Sequence, residues 1–222
     1  MKQTYIGFPS GSLKMPTLEL VANAGVIDLK SVGRANEFAT KIPWLTARIL
    51  DRKDMPVMIQ KGFADFGITG WDYLEESWLR EKMEAIDYLP YSRASQEPTR
   101  LVLAAKTGQF ESVEQIQWEV IVTELPRLTQ KRIQELFGFS PVMEVSQWAT
   151  EAWTLQWRVI AEITESGTSL NANKLTELAT LFESKPTVFA PNGKVTSLMR
   201  DITYLLTQTL EQIRYPKFLY RM

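Results

Sequence analysis

Short apolar segments alternate with amphipathic segments along almost the whole chain, and this alternation is the strongest constraint on its fold. The pattern predicts strands at residues 4–8, 44–50, 66–70, 100–105, 120–123, 141–146, 159–163 and 187–190. It predicts helices at residues 16–24, 54–61, 128–137, 174–183 and 194–213, with a further helical pattern opening near Asn171. Residues 74–83 are mostly polar and are expected to be peripheral. Strands that alternate with helices favour an α/β architecture with mostly parallel sheets.

Composition narrows the chemistry through two absences. The 222 residues include no Cys and no His, which excludes disulfides, thiolate metal sites, His-based zinc chemistry and nucleophilic catalysis by Ser–His or Cys–His pairs. Acid–base work must then fall to Asp, Glu, Lys, Tyr or the substrate. Reactions in which the protein mainly positions an activated sugar phosphate are therefore favoured, because a metal-bound diphosphate leaves while positive charge develops on the sugar.

Charge and hydropathy argue against nucleic-acid and membrane partners. The formal net charge is −1, and Lys and Arg are scattered, so the electrostatic footprint of nucleic-acid binding is missing. The sequence has no run of about 18 apolar residues, and its start lacks the pattern of a secretory signal. We therefore expect a cytoplasmic protein of one large domain or two small ones.

The segment at residues 159–173 carries the clearest local signal for a binding site. An apolar strand is followed by a turn rich in Ser, Gly and Thr at residues 166–169 and then by a helical pattern. Hydroxyls and free N–H groups at a helix N-terminus favour an anion, and Glu162 and Glu165 flank the turn. The arrangement suits a ligand with a phosphate and a polyol, such as a ribose phosphate. An ordinary strand–turn–helix junction capped by Ser and Thr is the alternative.

Four segments spread over most of the chain carry a resemblance to a known enzyme family. They are residues 6–13, 54–76, 122–129 and 162–175. In that order they are similar to the motifs A-L-P-K-G-R-L, D-I-P…G-x-A-D-L-G-I-T-G-x-D-x-L-x-E, A-T-x-Y-P-N-L-T and D-I-V-x-T-G-T-T-L-x-x-N-G-L. These are motifs of the ATP phosphoribosyltransferases, the first enzymes of histidine biosynthesis, and the last of them is the family's phosphoribosyl-diphosphate loop.

The resemblance implies a two-domain α/β fold similar to the periplasmic binding proteins of the second type, with the active site in a cleft between the domains. We place residues 1–96 and 184–222 in the first domain and residues 97–183 in the second, which carries the phosphoribosyl-diphosphate loop. The chain is expected to cross between domains near residues 96–99. Because the sequence ends after one long helix, it resembles the short form of the family. Members of that form work as oligomers with a regulatory subunit related to histidyl-tRNA synthetase.

The resemblance also implies roles for individual residues. The substrates are phosphoribosyl diphosphate and ATP, and Mg²⁺ enters with the diphosphate. Glu151 and Glu162 are the expected catalytic carboxylates. The residues expected to bind phosphoribosyl diphosphate are Glu162, Thr164, Glu165, Ser166, Gly167, Thr168, Ser169 and Leu170. The residues expected to bind the nucleotide are Ser10, Gly11, Ser12, Arg52 and Asp72.

The chain departs from the family's motifs near several of these positions. Ser10 and Ser12 stand where the family has Lys and Arg, and Asp51 falls where it usually has Arg. Glu162 replaces an Asp, and Trp157 occupies a Gly position. ATP carries about three to four negative charges, and charge-assisted contacts to phosphate each contribute roughly 1.5–3 kcal/mol. The loss of cations is therefore expected to weaken ATP binding.

Three hypotheses follow from these patterns. The chain is a working ATP phosphoribosyltransferase, which transfers phosphoribosyl to N1 of ATP. Alternatively, it is a diverged phosphoribosyltransferase whose acceptor is less anionic than ATP. In the third hypothesis it is a non-catalytic homologue that acts as a binding or regulatory subunit.

Overall fold

The chain divides into two units, each built on its own sheet. Its computed structural model describes residues 3–92, 97–147 and 150–214. Unit 1 comprises Met1–Gln96 and Lys185–Met222, and unit 2 comprises Glu97–Ser184. Within the segment where a domain crossing is expected, residue 96 lies outside the described residues.

Strands and helices alternate through the described residues. The strands are β1 (Thr4–Pro9), β2 (Glu37–Ala39), β3 (Leu45–Leu50), β4 (Phe66–Gly70), β5 (Met83–Tyr88), β6 (Thr99–Lys106), β7 (Val120–Thr123), β8 (Val142–Val145), β9 (Val159–Thr164), β10 (Leu175–Ser184) and β11 (Pro186–Pro191). The helices are α1 (Lys14–Asn23), α2 (Met55–Gln60), α3 (Trp71–Glu76), α4 (Pro126–Phe137), α5 (Thr168–Ala172) and α6 (Ser197–Arg214). Short 3₁₀ segments lie at Gly11–Leu13, Leu29–Ser31, Arg80–Lys82, Val113–Ile116 and Thr150–Gln156.

Unit 1 is built on a sheet of six strands in the order β2-β3-β1-β4-β11-β5. Strand β1 pairs in parallel with β3 and β4, whereas β11 is antiparallel to β4 and β5. The carboxyl ends of β1, β3 and β4 therefore meet at one edge of the sheet, where Ser10, Asp51 and Trp71 follow them. Their amino ends meet at the opposite edge, and β11 ends there as well because it runs the other way.

The core of unit 1 covers both faces of this sheet. On one face, Ile6 and Phe8 are fully buried against α1 and against Ile202 and Leu206 of α6. On the other face, Met55 of α2 packs in a cluster with seven other buried residues, which are Leu50, Ile59, Ala64, Leu74, Leu79, Met83 and Phe189. Burial of each large apolar side chain contributes about 1.5–3 kcal/mol. The two faces together fix the strand ends on which the site residues of this unit sit.

Unit 2 is built on a sheet of five strands in the order β10-β6-β9-β7-β8. Strand β7 is parallel to β8 and β9, and β6 is antiparallel to β9 and β10. The carboxyl ends of β7, β8 and β9 therefore share one edge, followed by Glu124, Ser146 and Glu165. In open α/β sheets, ligands bind outside the carboxyl ends of parallel strands.

The structure corrects the expectation of mostly parallel sheets. Both sheets are mixed, because β11 and β2 run against their neighbours in unit 1 and β6 runs against its neighbours in unit 2. The α/β class itself is confirmed. Strands β2 and β5 lie in segments for which the apolar pattern predicts no strand.

The prediction of a helix at residues 174–183 is wrong, because strand β10 occupies this segment. Apolar residues at positions 175, 178, 179 and 182 follow the spacing of a helix. The pairing of β10 with β6 has two register shifts, between Glu177 and Ala179 and between Thr180 and Phe182. Each irregularity interrupts the two-residue alternation of a strand, so the sequence imitates a helical period. The helix expected to open near Asn171 begins at Thr168 and ends at Ala172.

Within the described residues, no helix combines the length and the apolar character that a membrane crossing requires.

Candidate functional site

The segment between β9 and α5 forms a turn at the carboxyl edge of the unit 2 sheet. Gly167 lies in the left-handed region with a φ of 73°, a conformation that Gly adopts without a steric penalty. Its N–H donates to the Thr164 hydroxyl at 3.0 Å, and α5 begins at the next residue, Thr168. The turn is thereby fixed at both ends, and the first N–H groups of α5 have no acceptor within the helix.

Three hydroxyls of this turn form hydrogen bonds with neighbouring side chains. Ser166 Oγ and Thr168 Oγ1 lie 2.7 Å apart and share a hydrogen bond. The Ser169 hydroxyl donates to Oε1 of Glu151, which lies in the 3₁₀ segment Thr150–Gln156. Ser166, Thr168 and Ser169 are all exposed, so their hydroxyls are accessible to a ligand.

Leu170 anchors the turn to the core of unit 2. It is buried in a cluster that also contains Val102, Ala104, Val122, Ile160 and Leu175. The half-buried Trp153 packs on the same cluster, and its Nε1 donates to Oγ of Ser146 at 3.2 Å. The 3₁₀ segment that carries Glu151 and the turn that carries Ser169 are therefore held on one apolar cluster.

Glu162 lies on β9 beyond the last residue that pairs with β7. The pairing with β7 ends at Ala161, whereas β6 continues beside β9 as far as Thr164. Residues two apart on a strand share a face, so Glu162 is on the face of Ile160, a member of the apolar cluster. Its half-buried carboxylate is thus on the side of the sheet where Leu170 packs.

The structure therefore gathers the residues expected to bind phosphoribosyl diphosphate in one region of unit 2. Residues 164–170 form one continuous turn, with Glu165 half-buried at its start. Glu151 joins this region through Ser169, although eighteen residues separate the two in the sequence. Within the described residues, no group of three or more Asp or Glu side chains is placed to hold a metal ion by itself.

The residues expected to bind the nucleotide lie at the carboxyl edge of the unit 1 sheet. The Ser10 hydroxyl donates to Oδ2 of Asp51 at 3.3 Å, and the Ser10 N–H donates to the Leu50 carbonyl at 2.8 Å. Oδ1 of Asp51 accepts from the N–H groups of Lys53 at 2.8 Å and Asp54 at 3.4 Å. Two positions at which the resemblance implies cations are thus occupied by a hydroxyl and a carboxylate in direct contact.

Arg52 extends over Gly11 at the same edge. A Cβ atom on Gly11 would lie 1.9 Å from Nη1 of Arg52, and Gly11 has a φ of 71°. Nε of Arg52 donates to the Tyr73 hydroxyl at 3.0 Å. The backbone carbonyl of Arg52 accepts from the Thr69 hydroxyl at 2.7 Å. A side chain at position 11 would therefore displace a guanidinium that neighbouring residues hold in place.

The other two residues of the expected nucleotide set are Ser12 and Asp72. Ser12 is exposed in the 3₁₀ segment Gly11–Leu13, whereas Asp72 is buried in the first turn of α3. The sequence analysis does not assign Tyr73 to this site, although its hydroxyl contacts Arg52. The signal for Tyr73 is its place directly after Asp72 in the motif at residues 54–76.

Comparison with known sequences adds evidence for the family. A family model described as ATP phosphoribosyltransferase matches residues 51–213. The chain is 34% identical over 187 residues to the ATP phosphoribosyltransferase of Desulforudis audaxviator. The aligned residues make up 83% of this chain and 63% of that relative. The corresponding enzyme of Chlorobium phaeobacteroides is 35% identical over 187 residues, with coverage of 83% and 62%. The chain thus spans about three fifths of the length of these curated relatives.

Solved structures support the fold. The ATP phosphoribosyl transferase (HisG:HisZ) complex from Thermotoga maritima contains a chain with a TM-score of 0.71 and 22% identity, covering 94% of this chain and 99% of that one. The arginine-, lysine-, histidine-binding protein ArtJ from Geobacillus stearothermophilus has a TM-score of 0.58 and 13% identity, with coverage of 97% and 90%. These likenesses confirm the expected fold, that of the periplasmic binding proteins of the second type. Since the family model covers residues 51–213 and relatives are about one third identical, the chain belongs to the ATP phosphoribosyltransferase family.

Proposed function

We propose that the chain is an ATP phosphoribosyltransferase that transfers the phosphoribosyl group of phosphoribosyl diphosphate to N1 of ATP, the first step of histidine biosynthesis. Family membership supports the reaction class. The observation that carries the proposal is the turn at residues 164–170, where a hydroxyl contacts Glu151 at the start of α5. Glu162 lies on β9, the strand that leads into this turn. This arrangement offers donors to a phosphate and acceptors to a polyol in the same region.

The turn is suited to the 5′-phosphate of the sugar. Ser166 and Thr168 share one hydrogen bond, so one of their two hydroxyl protons remains for a phosphate, and Ser169 can donate once its hydrogen bond to Glu151 is released. The first N–H groups of α5 add backbone donors. Gly167 adopts the left-handed conformation of the turn without a steric penalty, and Ser166, Thr168 and Ser169 around it are exposed. Because the phosphate oxygens are acceptors, every one of these contacts has the required polarity.

The two carboxylates are suited to the ribose and to the charge that develops on it. We assign to Glu162 the role of accepting hydrogen bonds from ribose hydroxyls, and to Glu151 that of stabilising positive charge near C1 of the sugar. In the reaction, N1 of the acceptor forms a bond to C1 while the bond from C1 to the diphosphate oxygen breaks, and diphosphate leaves with the electron pair. The protein's contribution is to position the two substrates and to supply charge.

The donor set fits a magnesium ion delivered with the diphosphate. Mg²⁺ prefers oxygen ligands and in phosphate sites is held by one or two carboxylates together with substrate phosphates. Glu151 and Glu162 are the residues that would hold it, and when bound it neutralises the charge of the leaving group.

The nucleotide is assigned to the carboxyl edge of the unit 1 sheet. Arg52 is the cation in the expected set, and Gly11 gives its guanidinium room. Ser10 and Ser12 offer hydroxyls, and Asp72 is the buried carboxylate of the expected set. By the same family relationship, we propose a cytoplasmic oligomer with a regulatory subunit; the solved relative from Thermotoga maritima is a HisG:HisZ complex.

A second candidate function is favoured by the contact between Ser10 and Asp51. Where the family places cations, this pair presents a neutral hydroxyl and a negative charge. The charge of Asp51 disfavours a triphosphate and suits an acceptor with fewer negative charges. The second candidate is therefore a phosphoribosyltransferase with a less anionic acceptor than ATP.

Calorimetric titration tests the proposal. The full chain is titrated with phosphoribosyl diphosphate and Mg²⁺ and then with ATP, and the product is assayed afterwards. Glu162→Ala is expected to lose the first binding event, whereas Glu183→Ala, which removes an exposed carboxylate from β10, is expected to keep it. Binding of the first ligand without ATP supports the second candidate. Failure of both ligands to bind, or binding of both without turnover, indicates a non-catalytic homologue.

A further inference from the structure

A cavity of about 520 Å³ lies wholly within unit 1, at the amino edge of its sheet. The start of β1, the turn between α2 and β4, and the connection from β11 to α6 line it. The residues expected to bind the nucleotide follow the opposite ends of β1, β3 and β4. Strand β1 has six residues and so spans about 20 Å. The cavity is therefore separate from the proposed nucleotide site.

Two groups of opposite charge line this cavity, Asp65 and Lys194. Oδ2 of Asp65 accepts from the N–H of Tyr5 at 2.8 Å, and within the described residues its carboxylate makes no other hydrogen bond. Among the residues that the structure describes, neither Asp65 nor Lys194 takes part in an ion pair. Each charge therefore has room for a partner of opposite sign.

Neutral polar groups extend the same chemistry. Gln60 lines the cavity, and within the described part of the chain its amide has no hydrogen-bond partner. Nε2 of Gln3 donates to Oγ1 of Thr46 at 2.8 Å, so its amide oxygen is the group left to accept from a ligand. The cavity thus offers acceptors and donors in addition to its two charges.

An apolar wall completes the cavity. The half-buried Pro191 and Val195 supply its surface, whereas Ile59 and Met199, which also line the cavity, are each 3% exposed and add little surface of their own. An entirely polar ligand would leave this wall without a complementary surface, whereas an aliphatic or aromatic group would cover it. A single cation is also a poor match for a nucleotide, which carries several negative charges.

We propose that this cavity binds a small zwitterion with an apolar side group, the chemistry of a free apolar amino acid. Its ammonium group contacts Asp65, its carboxylate contacts Lys194, and its side group packs on Val195, beside Met199. Singly charged molecules of the same shape leave one of the two protein charges without its partner. A charge-assisted hydrogen bond is strong enough that loss of one is expected to weaken binding by about tenfold or more.

Methyl NMR of the full chain with labelled methionines tests this proposal, because Met199 reports on the cavity and the chain has only eight Met. L-leucine is the probe, and isoamylamine and 4-methylpentanoate are the matched molecules that lack the carboxylate and the ammonium. The Met199 signal, identified with Met199→Leu, is expected to shift with leucine in a saturable manner. Isoamylamine and 4-methylpentanoate are each expected to need about tenfold more ligand.

Two variants locate the charges, and a third is the control. Asp65→Asn keeps an acceptor for the Tyr5 N–H. It is expected to lower the affinity for leucine and to leave the affinity for 4-methylpentanoate unchanged. Lys194→Gln is expected to lower the affinity for leucine and to leave the affinity for isoamylamine unchanged. Lys61→Gln removes an exposed charge near the cavity that does not line it and is expected to change neither. The proposal is overturned if leucine leaves the Met199 signal in place, if all three probes bind equally, or if Lys61→Gln matches Lys194→Gln.

Discussion

The hydroxyl of Ser169 donates its hydrogen bond to the carboxylate of Glu151. A serine hydroxyl has one proton to donate, so in this arrangement Ser169 has none left for a phosphate, whose oxygens only accept. A phosphate bound at the turn must therefore compete with Glu151 for this proton. Binding of the sugar phosphate would release the carboxylate and make it available to the reaction.

This competition predicts that removal of a proposed catalytic carboxylate strengthens binding of the sugar phosphate. Glu151→Ala is expected to bind ribose 5-phosphate about tenfold more tightly, because Ser169 regains its donor and a negative charge is lost. In a Ser169→Ala background the same change is expected to give a clearly smaller gain. Calorimetry on the two single variants and the double variant measures the coupling. An equal gain in both backgrounds shows that Ser169 is not contested, and weaker binding by Glu151→Ala contradicts the competition outright.

The contact between Ser10 and Asp51 predicts a gain of ATP affinity from a conservative change. Asp51→Asn keeps an oxygen that accepts from the N–H groups of Lys53 and Asp54 but removes one negative charge from the edge. The affinity for ATP is expected to rise by roughly three- to tenfold at low salt, and less at high salt because of screening.

Asp54→Asn is the matched control for this change. It removes the same charge from a neighbouring exposed position, and no hydrogen bond joins its side chain to Ser10 within the described residues. Asp54→Asn is expected to raise the affinity for ATP less than Asp51→Asn does. If the two variants behave alike, the edge responds only to net charge, and the Ser10 contact does not determine the acceptor.

Alanine substitutions at Gly11 and Gly25 are expected to have similar effects on stability but different effects on nucleotide binding. Gly11 and Gly25 both have positive φ, at 71° and 76°, so Ala at either position is expected to cost about 1–2 kcal/mol of folding free energy. A Cβ atom meets Arg52 at position 11 and nothing within 4 Å at position 25. Gly11→Ala is therefore expected to weaken ATP binding as well, and Gly25→Ala is expected to spare it. Urea unfolding and ATP titration measure the two effects, and equal ATP affinities would remove Arg52 from the proposed site.

The sequence predicts elements best where local pattern and tertiary pairing agree. Strands β4 and β7 begin and end where the apolar runs do, because both are short and almost wholly buried. β10 is missed because its apolar spacing results from its irregular pairing with β6. The sequence of β10 alone does not show which strand it pairs with or where that pairing is irregular.

The proposed site shows the same division. The turn at residues 164–170 is recognisable because its residues are contiguous in the sequence. The contacts of Ser169 with Glu151 and of Ser10 with Asp51 join residues that are 18 and 41 positions apart. Such contacts depend on how the strands pair, so the motifs indicate which residues are present but not that they are bonded to one another.

The buried pair of Thr17 and Tyr91 gives a prediction about stability. The Thr17 hydroxyl donates to the Leu13 carbonyl at 2.7 Å, so the Tyr91 hydroxyl, 2.7 Å from Oγ1 of Thr17, acts as the donor between them. Burial raises the pKa of Tyr91, which keeps its phenol protonated for this role. Tyr91→Phe removes one hydrogen bond and leaves Thr17 satisfied by Leu13.

The two single variants are therefore expected to differ. Tyr91→Phe should lower the free energy of unfolding by about 1 kcal/mol, whereas Thr17→Val leaves a buried phenol without an acceptor and should cost about 1–3 kcal/mol. The double variant should cost less than the sum, because both changes remove the same bond. Urea unfolding curves of the three variants measure these values. If Thr17→Val costs no more than Tyr91→Phe, the phenol has another acceptor, and the donor direction argued from Leu13 is wrong.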